Sequence, residues 1–265
     1  RLVVNRQRVV VPLLAMATVA AMAFALPAPD KTRIVALSAS KEAVIPTSQA
    51  AAPNETTPPP PVRVMIVGDS FALSVGLGLE HWAQSSGQIG TLNTGLVGCG
   101  FGRGGMNRGI GLEREWPDEC KVREATLQQQ LADFRPDVVV VAAGAWDVTD
   151  RQFWSEDPVR RPGDQTFDDF LRTEISTRVD ELSAHGATVV WLTAPHVRRA
   201  LPGVPFPAES LPENDPVRID KYNDIVRSLA DTTPGMRVVD LAAWAAARPG
   251  GEFDVADRPD GVTFA

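Results

Sequence analysis

Ser70 is the residue of this sequence best placed to act as a nucleophile. It follows Gly68 and Asp69 at the end of an apolar run that begins at Val62 and suits a buried strand, and the residues after it have a helical pattern. A serine in such a turn has its hydroxyl at the carboxyl end of a strand and its backbone N–H at a helix N-terminus. It could therefore attack a carbonyl and help to hold the oxyanion that forms. The same three residues could instead be a turn in which Ser70 only caps the helix.

A serine hydroxyl is a weak nucleophile without a base, and the chain has three histidines. His81 falls about three turns along the helix predicted after Ser70, so we expect it to point away from the strand ends. His185 stands at the C-terminus of another predicted helix, a common place for a histidine with no catalytic role. His196 follows a predicted strand at its carboxyl end, and it is the one histidine that could act as a substitute base.

The elements that must position Ser70 come from the stretch Val62–Ala265, where apolar runs alternate with helical patterns. This alternation predicts a three-layer α/β/α domain with a mostly parallel, five-stranded sheet. The ligand site of such a sheet lies at the carboxyl ends of its strands. The predicted strands are Arg63–Val67, Gln88–Asn93, Asp137–Ala142, Thr188–Leu192 and Arg237–Val239. The predicted helices are Ser70–Gln84, Lys121–Phe134, Phe167–Ala184 and Pro216–Asp231.

We predict that residues 1–30 form a cytoplasmic flank and one transmembrane helix. The run Val9–Leu26 has no charged residue and is just long enough to cross a bilayer. Arg1, Arg6 and Arg8 precede it, which by the positive-inside rule puts everything after it outside the cell. A secretory signal with a cleavage site at Ala23–Ala25 is the alternative, and it exports the domain equally. Because the chain starts with Arg1 and not methionine, we favour the membrane helix and expect a longer protein.

Residues 31–61 form a predicted linker, rich in alanine, serine, threonine and proline. Such a composition cannot bury enough apolar surface to fold, and its closing proline run stiffens it into a spacer between the membrane and residues 62–265. A proline-rich recognition segment is the alternative interpretation.

Charge and cysteine content limit the possible partners and the compartment. The net charge of −7 argues against nucleic acid, because phosphate binding needs a basic surface. No His/Cys cluster has metal-ligand spacing and no phosphate-cradling glycine motif follows a strand, so we expect neither metal nor cofactor. Cys99 and Cys120 are the two cysteines. In an exported domain we expect them to form a disulfide, although two buried thiols are the alternative.

Two segments resemble the first two conserved blocks of the SGNH (GDSL-like) hydrolases. Gly68–Ser70 resembles the first block, and Asn93–Gly98 matches the second, Asn-x-Gly-x-x-Gly. The resemblance implies that Ser70 is the catalytic nucleophile. It also implies that the N–H groups of Ser70 and Gly98 form the oxyanion hole.

The other two blocks lack the residue for which each is known. Gly144–Asp147 takes the place of Gly-x-Asn-Asp, with Trp146 where the family has a side-chain oxyanion donor. Asp260–Thr263 takes the place of Asp-x-x-His. By the resemblance Asp260 is the acid that orients the base, and Thr263 stands where the base histidine is expected.

Trp146 and Asp147 each allow two interpretations. Trp146 could be a core aromatic beside the site, or it could stack on a sugar ring at the mouth of the pocket. Asp147 could cap the following turn, which we favour, or bind a substrate hydroxyl.

The order of a membrane helix, a proline-rich linker and an exported SGNH-like domain resembles the C-terminal end of bacterial membrane acyltransferases that act on cell-envelope carbohydrates. This implies acyl transfer to a glycan through Ser70, with the acyl group delivered by a membrane domain, and a cell-membrane location with the domain extracytoplasmic. An exported carbohydrate acetylesterase is a second possibility. A catalytically degenerate domain that binds glycan is the third, and Thr263 favours it.

Overall fold

The computed structural model describes residues 59–108, 115–200 and 207–265. The predicted membrane segment Val9–Leu26 and nearly all of the predicted linker 31–61 lie outside these residues. Within the part of the chain that is described, no helix is both long and apolar enough to cross a bilayer.

The described residues form a five-stranded parallel sheet, a small antiparallel ribbon and five α-helices. In chain order the strands are β1 Val62–Gly68, β2 Ile89–Asn93, β3 Met106–Asn107, β4 Val138–Ala142, β5 Arg151–Gln152, β6 Thr188–Leu192 and β7 Met236–Val239. The helices are α1 Ser70–Ser86, α2 Asp118–Phe134, α3 Gln165–Ser183, α4 Pro216–Ala230 and α5 Leu241–Ala246. The main sheet has the order β2-β1-β4-β6-β7, and β3 pairs with β5 to make the ribbon.

Helices cover both faces of the main sheet, which confirms the predicted three layers. One face packs against apolar side chains of α2, α3 and α4, including Leu127, Ile175 and Ile225. The other face packs against α1, with Leu241 of α5 beside it. Burying a large apolar side chain contributes about 1.5–3 kcal/mol, so these two cores stabilise the sheet from both sides. All five strands run in the same direction, so their carboxyl ends meet at one edge.

Gly68 fixes the turn that ends β1. Its φ of +150° is one that residues with a Cβ rarely adopt, and an added Cβ would lie 1.9 Å from the carbonyl oxygen of Ala142 on β4. Only glycine allows the two neighbouring strands to approach so closely at this point. The chain then enters α1 directly, with Ser70 as the first helical residue.

A disulfide joins Cys99, after β2, to Cys120 in the first turn of α2, with the Cα atoms 5.5 Å apart. The predicted bridge is therefore confirmed. Arg123, one turn further along α2, donates to the carbonyl oxygens of Gly68 at 2.6 Å and Cys99 at 3.4 Å. The bridge and this arginine hold the segment after β2 against the end of β1.

Candidate active site

Ser70 is the first residue of α1, and its side chain does not cap the helix. Asp69 caps the helix, because its Oδ1 accepts the N–H of Phe71 at 2.8 Å. The interpretation in which Ser70 is the cap is therefore wrong, since the preceding carboxylate takes that place. Ser70 is partly exposed, and among the described residues nothing is hydrogen-bonded to its hydroxyl. The hydroxyl remains available for chemistry.

The second block lies along the end of β1, on the same edge as Ser70. Leu96 donates its N–H to the carbonyl oxygen of Gly68 at 3.0 Å. Asn93 donates its side-chain amide to the carbonyl oxygen of Leu73 in α1 at 3.1 Å, and its Oδ1 accepts the N–H of Gly95. Gly98 follows in the left-handed region, with φ +83°. These contacts place the Asn93–Leu96 segment beside the end of β1, while the oxyanion-hole role of the Gly98 N–H stays a prediction.

Asp147 is buried and holds the glycine-rich segment after the disulfide. Its Oδ1 accepts the N–H groups of Phe101 and Gly102, both at 2.7 Å. The preferred interpretation, in which Asp147 caps the turn that follows it, is wrong: its partners lie on a different loop, 45 and 46 residues earlier. Because Oδ1 already accepts these two hydrogen bonds, it is not free to bind a substrate hydroxyl.

Trp146 is 7% exposed, as a core aromatic would be. The guanidinium carbon of Arg199 lies 4.8 Å from the centre of its ring. A sugar could stack on the ring face that Arg199 covers only if the arginine moved. Trp146 also lines a small cavity together with Gly98, so it remains beside the predicted oxyanion hole.

The tail of the chain closes over the start of α1. Phe264 donates its N–H to the hydroxyl of Ser74 at 3.3 Å, and its ring packs against Phe71 at a centroid distance of 5.9 Å. Thr263 is thus one residue away from a contact with α1, while the placement of Asp260 and Thr263 beside Ser70 stays a prediction.

Asp260 and Thr263 are hydrogen-bonded to each other. Oδ2 of Asp260 accepts the hydroxyl of Thr263 at 2.8 Å, and Oδ1 accepts the N–H groups of Val262 and Thr263. Burial raises the pKa of Asp260, but these hydrogen bonds outweigh it and hold the pKa below the ordinary value. An ionised acid is thus in place at the tail, and its partner is an alcohol without a basic nitrogen.

His196, the predicted substitute base, has both ring nitrogens engaged. Nδ1 lies 2.9 Å from Glu252 and Nε2 lies 2.9 Å from Asp220. Partial burial lowers the pKa of His196, while the two carboxylates raise it above the ordinary value, and they prevail. The residue follows β6, which β4 separates from β1 in the sheet. Neither ring nitrogen is hydrogen-bonded to Ser70, so a catalytic role for His196 requires a change in these contacts.

Two buried carboxyls lie beneath the turn that carries Ser70. The pKa of Asp69 is raised to about 7, mainly by burial and also by the nearby Asp147, which together outweigh the lowering effects of the Phe71 N–H, Arg199 and Arg123. Burial also raises the pKa of Asp147. Oδ2 of each carboxyl has no hydrogen-bond partner within the described part of the chain. The sequence motif contains Asp69, but nothing in the motif indicates that this residue is buried.

The described residues contain no group of His, Cys, Asp or Glu side chains arranged to hold a metal ion.

A family model described as "SGNH domain (fused to AT3 domains)" matches residues 39–255 of this chain. The match ends before Asp260, so it covers the first three blocks and not the fourth. A search of curated proteins finds no match.

Several solved structures are similar over 77% of this chain. A lipase/acylhydrolase from Enterococcus faecalis is 18% identical, with 87% of that chain covered and a TM-score of 0.48. A GDSL-like lipase from Bacteroides thetaiotaomicron is 14% identical, with 80% covered and a TM-score of 0.49. A catalytic mutant of an acetylxylan esterase from Geobacillus stearothermophilus is 16% identical, with 87% covered and a TM-score of 0.42.

Proposed function

The chain belongs to the SGNH domain family, and on that premise we propose that it transfers an acyl group, such as acetyl, to a cell-envelope carbohydrate through Ser70. The observation that carries the proposal is the turn after β1. There Asp69 caps α1, so the hydroxyl of Ser70 stands unbonded at the carboxyl edge of the sheet with the Gly98 segment beside it. A fusion to AT3 domains, which the family description names, supports a transferase over a free-standing hydrolase.

The proposed reaction has two steps. The oxygen of Ser70 forms an ester bond to the acyl carbon as the bond from that carbon to its carrier breaks, and the carrier leaves with a proton. A sugar hydroxyl then attacks the acyl carbon, the bond to Ser70 breaks, and the proton of the sugar hydroxyl returns to Ser70. In both steps the N–H groups of Ser70 and Gly98 would stabilise the oxyanion.

Proton transfer is the weak part of this scheme. Thr263 can hydrogen-bond an oxygen but cannot take up a proton as an imidazole does. General-base assistance is typically worth about 10²- to 10⁴-fold. The isolated chain should therefore turn over slowly.

The proposal includes a location. Val9–Leu26 would cross the membrane with residues 62–265 outside, and residues 31–61 would space the domain from a membrane part that supplies the acyl group. Protease added to intact cells should then cut the linker, and cutting only after lysis would contradict this topology.

A glycan-binding domain without catalysis is the second candidate function. The bond between Asp260 and Thr263 favours it, because the acid is occupied by an alcohol where the family has a base.

Hydrolysis of a small acetyl ester separates the two candidates. The wild-type chain should show a slow rate that disappears in Ser70→Ala. Equal, negligible rates in both would support the binding domain. A fast wild-type rate that depends on Ser70 would mean that another base operates, and His196→Ala would then identify it or exclude it.

A further inference from the structure

An aromatic cleft lies between the β3–β5 ribbon and the start of α2. Its volume is about 390 Å³, and its walls include Met106, Glu115, Trp116, Lys121, Phe153 and Trp154. We propose that this cleft, named the Trp cleft, binds the carbohydrate acceptor as an uncharged, hydroxyl-rich chain of sugar rings. The inference rests on the proposed function for its link to Ser70, but binding in the cleft can be measured without catalysis.

Trp154 supplies the apolar platform. It is 75% exposed, which is costly for so large an apolar ring in water. Its neighbour Phe153 is anchored in an aromatic cluster, 4.9 Å from the ring of Phe170 and 6.3 Å from that of Phe167. The exposed ring of Trp154 thus follows a residue that is held in place by packing. A flat indole in such a position suits the apolar C–H face of a sugar ring.

The ribbon beneath Trp154 is held from below. Arg151 of β5 is 3% exposed, and it donates to the carbonyl oxygens of Gly102 at 3.0 Å and Gly104 at 2.7 Å. The backbone at Gly104 and Gly105 forms one wall of the cleft. A wall fixed in this way keeps the cleft formed before a ligand arrives, which reduces the entropy that binding costs.

Trp116 supplies a hydrogen-bond donor in the wall that the cleft shares with the Gly98 cavity. Its Nε1–H is buried, and it has no hydrogen-bond partner among residues 59–108, 115–200 and 207–265. A buried donor without a partner destabilises the structure. A ligand hydroxyl that reaches this nitrogen could accept the hydrogen bond and remove the penalty. The donor is therefore a second feature, independent of Trp154, that indicates a hydroxyl-bearing ligand.

The charges on the walls favour an uncharged ligand. Glu115 and Lys121 contribute one charge of each sign, and Lys121 is already paired with Asp118 at 3.0 Å. A polyanionic glycan would require a surplus of basic side chains to offset its charge.

The Trp cleft leads toward the predicted oxyanion hole. Glu115 and Trp116 line not only this cleft but also the small cavity that contains Gly98 and Trp146. A sugar chain lying on Trp154 and reaching Trp116 would therefore end against the wall that the cleft shares with the Gly98 cavity, which at about 10 Å³ is too small to hold a sugar ring itself. This placement assigns the cleft to the acceptor.

Saturation-transfer NMR and titration with three soluble probes test the inference. Maltohexaose and chitohexaose are neutral, and trigalacturonate is anionic. The 265-residue chain in detergent should transfer saturation to at least one neutral oligomer. Trp154→Ala should weaken that binding about five- to tenfold, the usual effect of removing a central aromatic contact. Trp82→Ala is the matched control, because Trp82 is 44% exposed on α1 and does not line the cleft.

Three results would overturn the inference: no transfer to either neutral oligomer, transfer to trigalacturonate alone, or equal binding by Trp154→Ala and Trp82→Ala. If neutral oligomers bind but Ser70 has no effect on ester hydrolysis, the proposed acyl transfer fails and the cleft stands. If Ser70-dependent hydrolysis is measured without sugar binding, the cleft fails and the acyl transfer stands.

Discussion

The turn that carries Ser70 and the tail that carries Thr263 lie close together, yet they are built in different ways. The turn is fixed by the sheet: an added Cβ at Gly68 would strike the Ala142 carbonyl, and one at Gly95 would lie 2.3 Å from the N atom of Leu73. The tail is held by hydrogen bonds: Asp260 accepts the N–H groups of Val262 and Thr263, and the buried Arg258 donates to the carbonyl oxygens of Gly261 and Val262. The residues of the first two blocks are therefore required by packing, whether or not the site is catalytic.

This difference changes what a motif match means. Asn93 and Gly95 connect β2 to α1, so their presence indicates the architecture. Thr263 has only to form a hydrogen bond with Asp260, which an alcohol does as well as an imidazole does. The fold can thus persist while the fourth block loses its base. The match at the turn therefore indicates the fold, whereas the residues of the tail decide whether the site is active.

The largest effect should come from restoring a base at the tail. In Thr263→His the new imidazole would lie next to Asp260, which would orient it and stabilise its charged form. We expect hydrolysis of a small acetyl ester to rise by about 10²- to 10⁴-fold. Initial rates for the wild type and the variant provide the measurement.

Two further variants make this comparison specific. Thr263→Gln adds a polar side chain without a base and should stay at the wild-type rate. The double variant Ser70→Ala with Thr263→His should lose the gain. A gain in hydrolysis that survives the loss of Ser70 would contradict the inference that the tail and the turn form one site.

Breaking the disulfide should have the next largest effect. It would loosen the segment after β2, which lies beside the turn that carries Ser70. The Cys99–Cys120 bridge spans 21 residues of sequence, and both cysteines are at most 1% exposed. Removing a disulfide that closes a loop of this size costs about 3 kcal/mol. The double variant Cys99→Ala and Cys120→Ala should show this loss in urea unfolding. Adding a reductant to that variant should have no further effect, and an unchanged unfolding midpoint would show that the bridge does not stabilise the segment after β2.

Most of the sheet and four helices were predictable because their signals are local. The run Asp137–Ala142 has no polar alternation, which is typical of a strand covered on both faces, and β4 occupies Val138–Ala142. The ribbon strands β3 and β5 were not predicted. Each has two residues, and they are held by cross-strand pairing and by Arg151, contacts that no short window of sequence contains.

The site was predictable as far as it depends on the order of strands. Placing Ser70 and Gly98 on one edge needs only adjacent parallel strands, and the structure has them. The partner of Asp147 could not be read from its neighbours, because Phe101 and Gly102 reach it through tertiary folding. The same holds for Trp116 and Trp154, which are far apart in sequence and line one cleft only in the folded chain.

The smallest effect concerns the buried carboxyl at the turn. The pKa of Asp69 is raised from 3.8 to about 7. Between about pH 4 and 7 the folded protein holds a proton that the unfolded chain has lost, so stability should fall as the pH rises through this window. Asp69→Asn keeps an oxygen that can cap α1 but removes the charge. We therefore expect a shallower fall in stability, with a difference on the order of 1 kcal/mol between pH 5 and pH 8.

Urea unfolding at a series of pH values measures the difference. Asp215→Asn is the matched control, because Asp215 also caps a helix, accepting the N–H of Val217 at 3.0 Å, but is exposed. Its variant shows how much of any change comes from replacing a helix-capping carboxylate at an exposed position. Some slope should remain in Asp69→Asn, since burial raises the pKa of Asp147 in the same direction. If Asp69→Asn follows the wild type at every pH, Asp69 does not hold a proton in the folded state, and the turn is fixed by its backbone contacts alone.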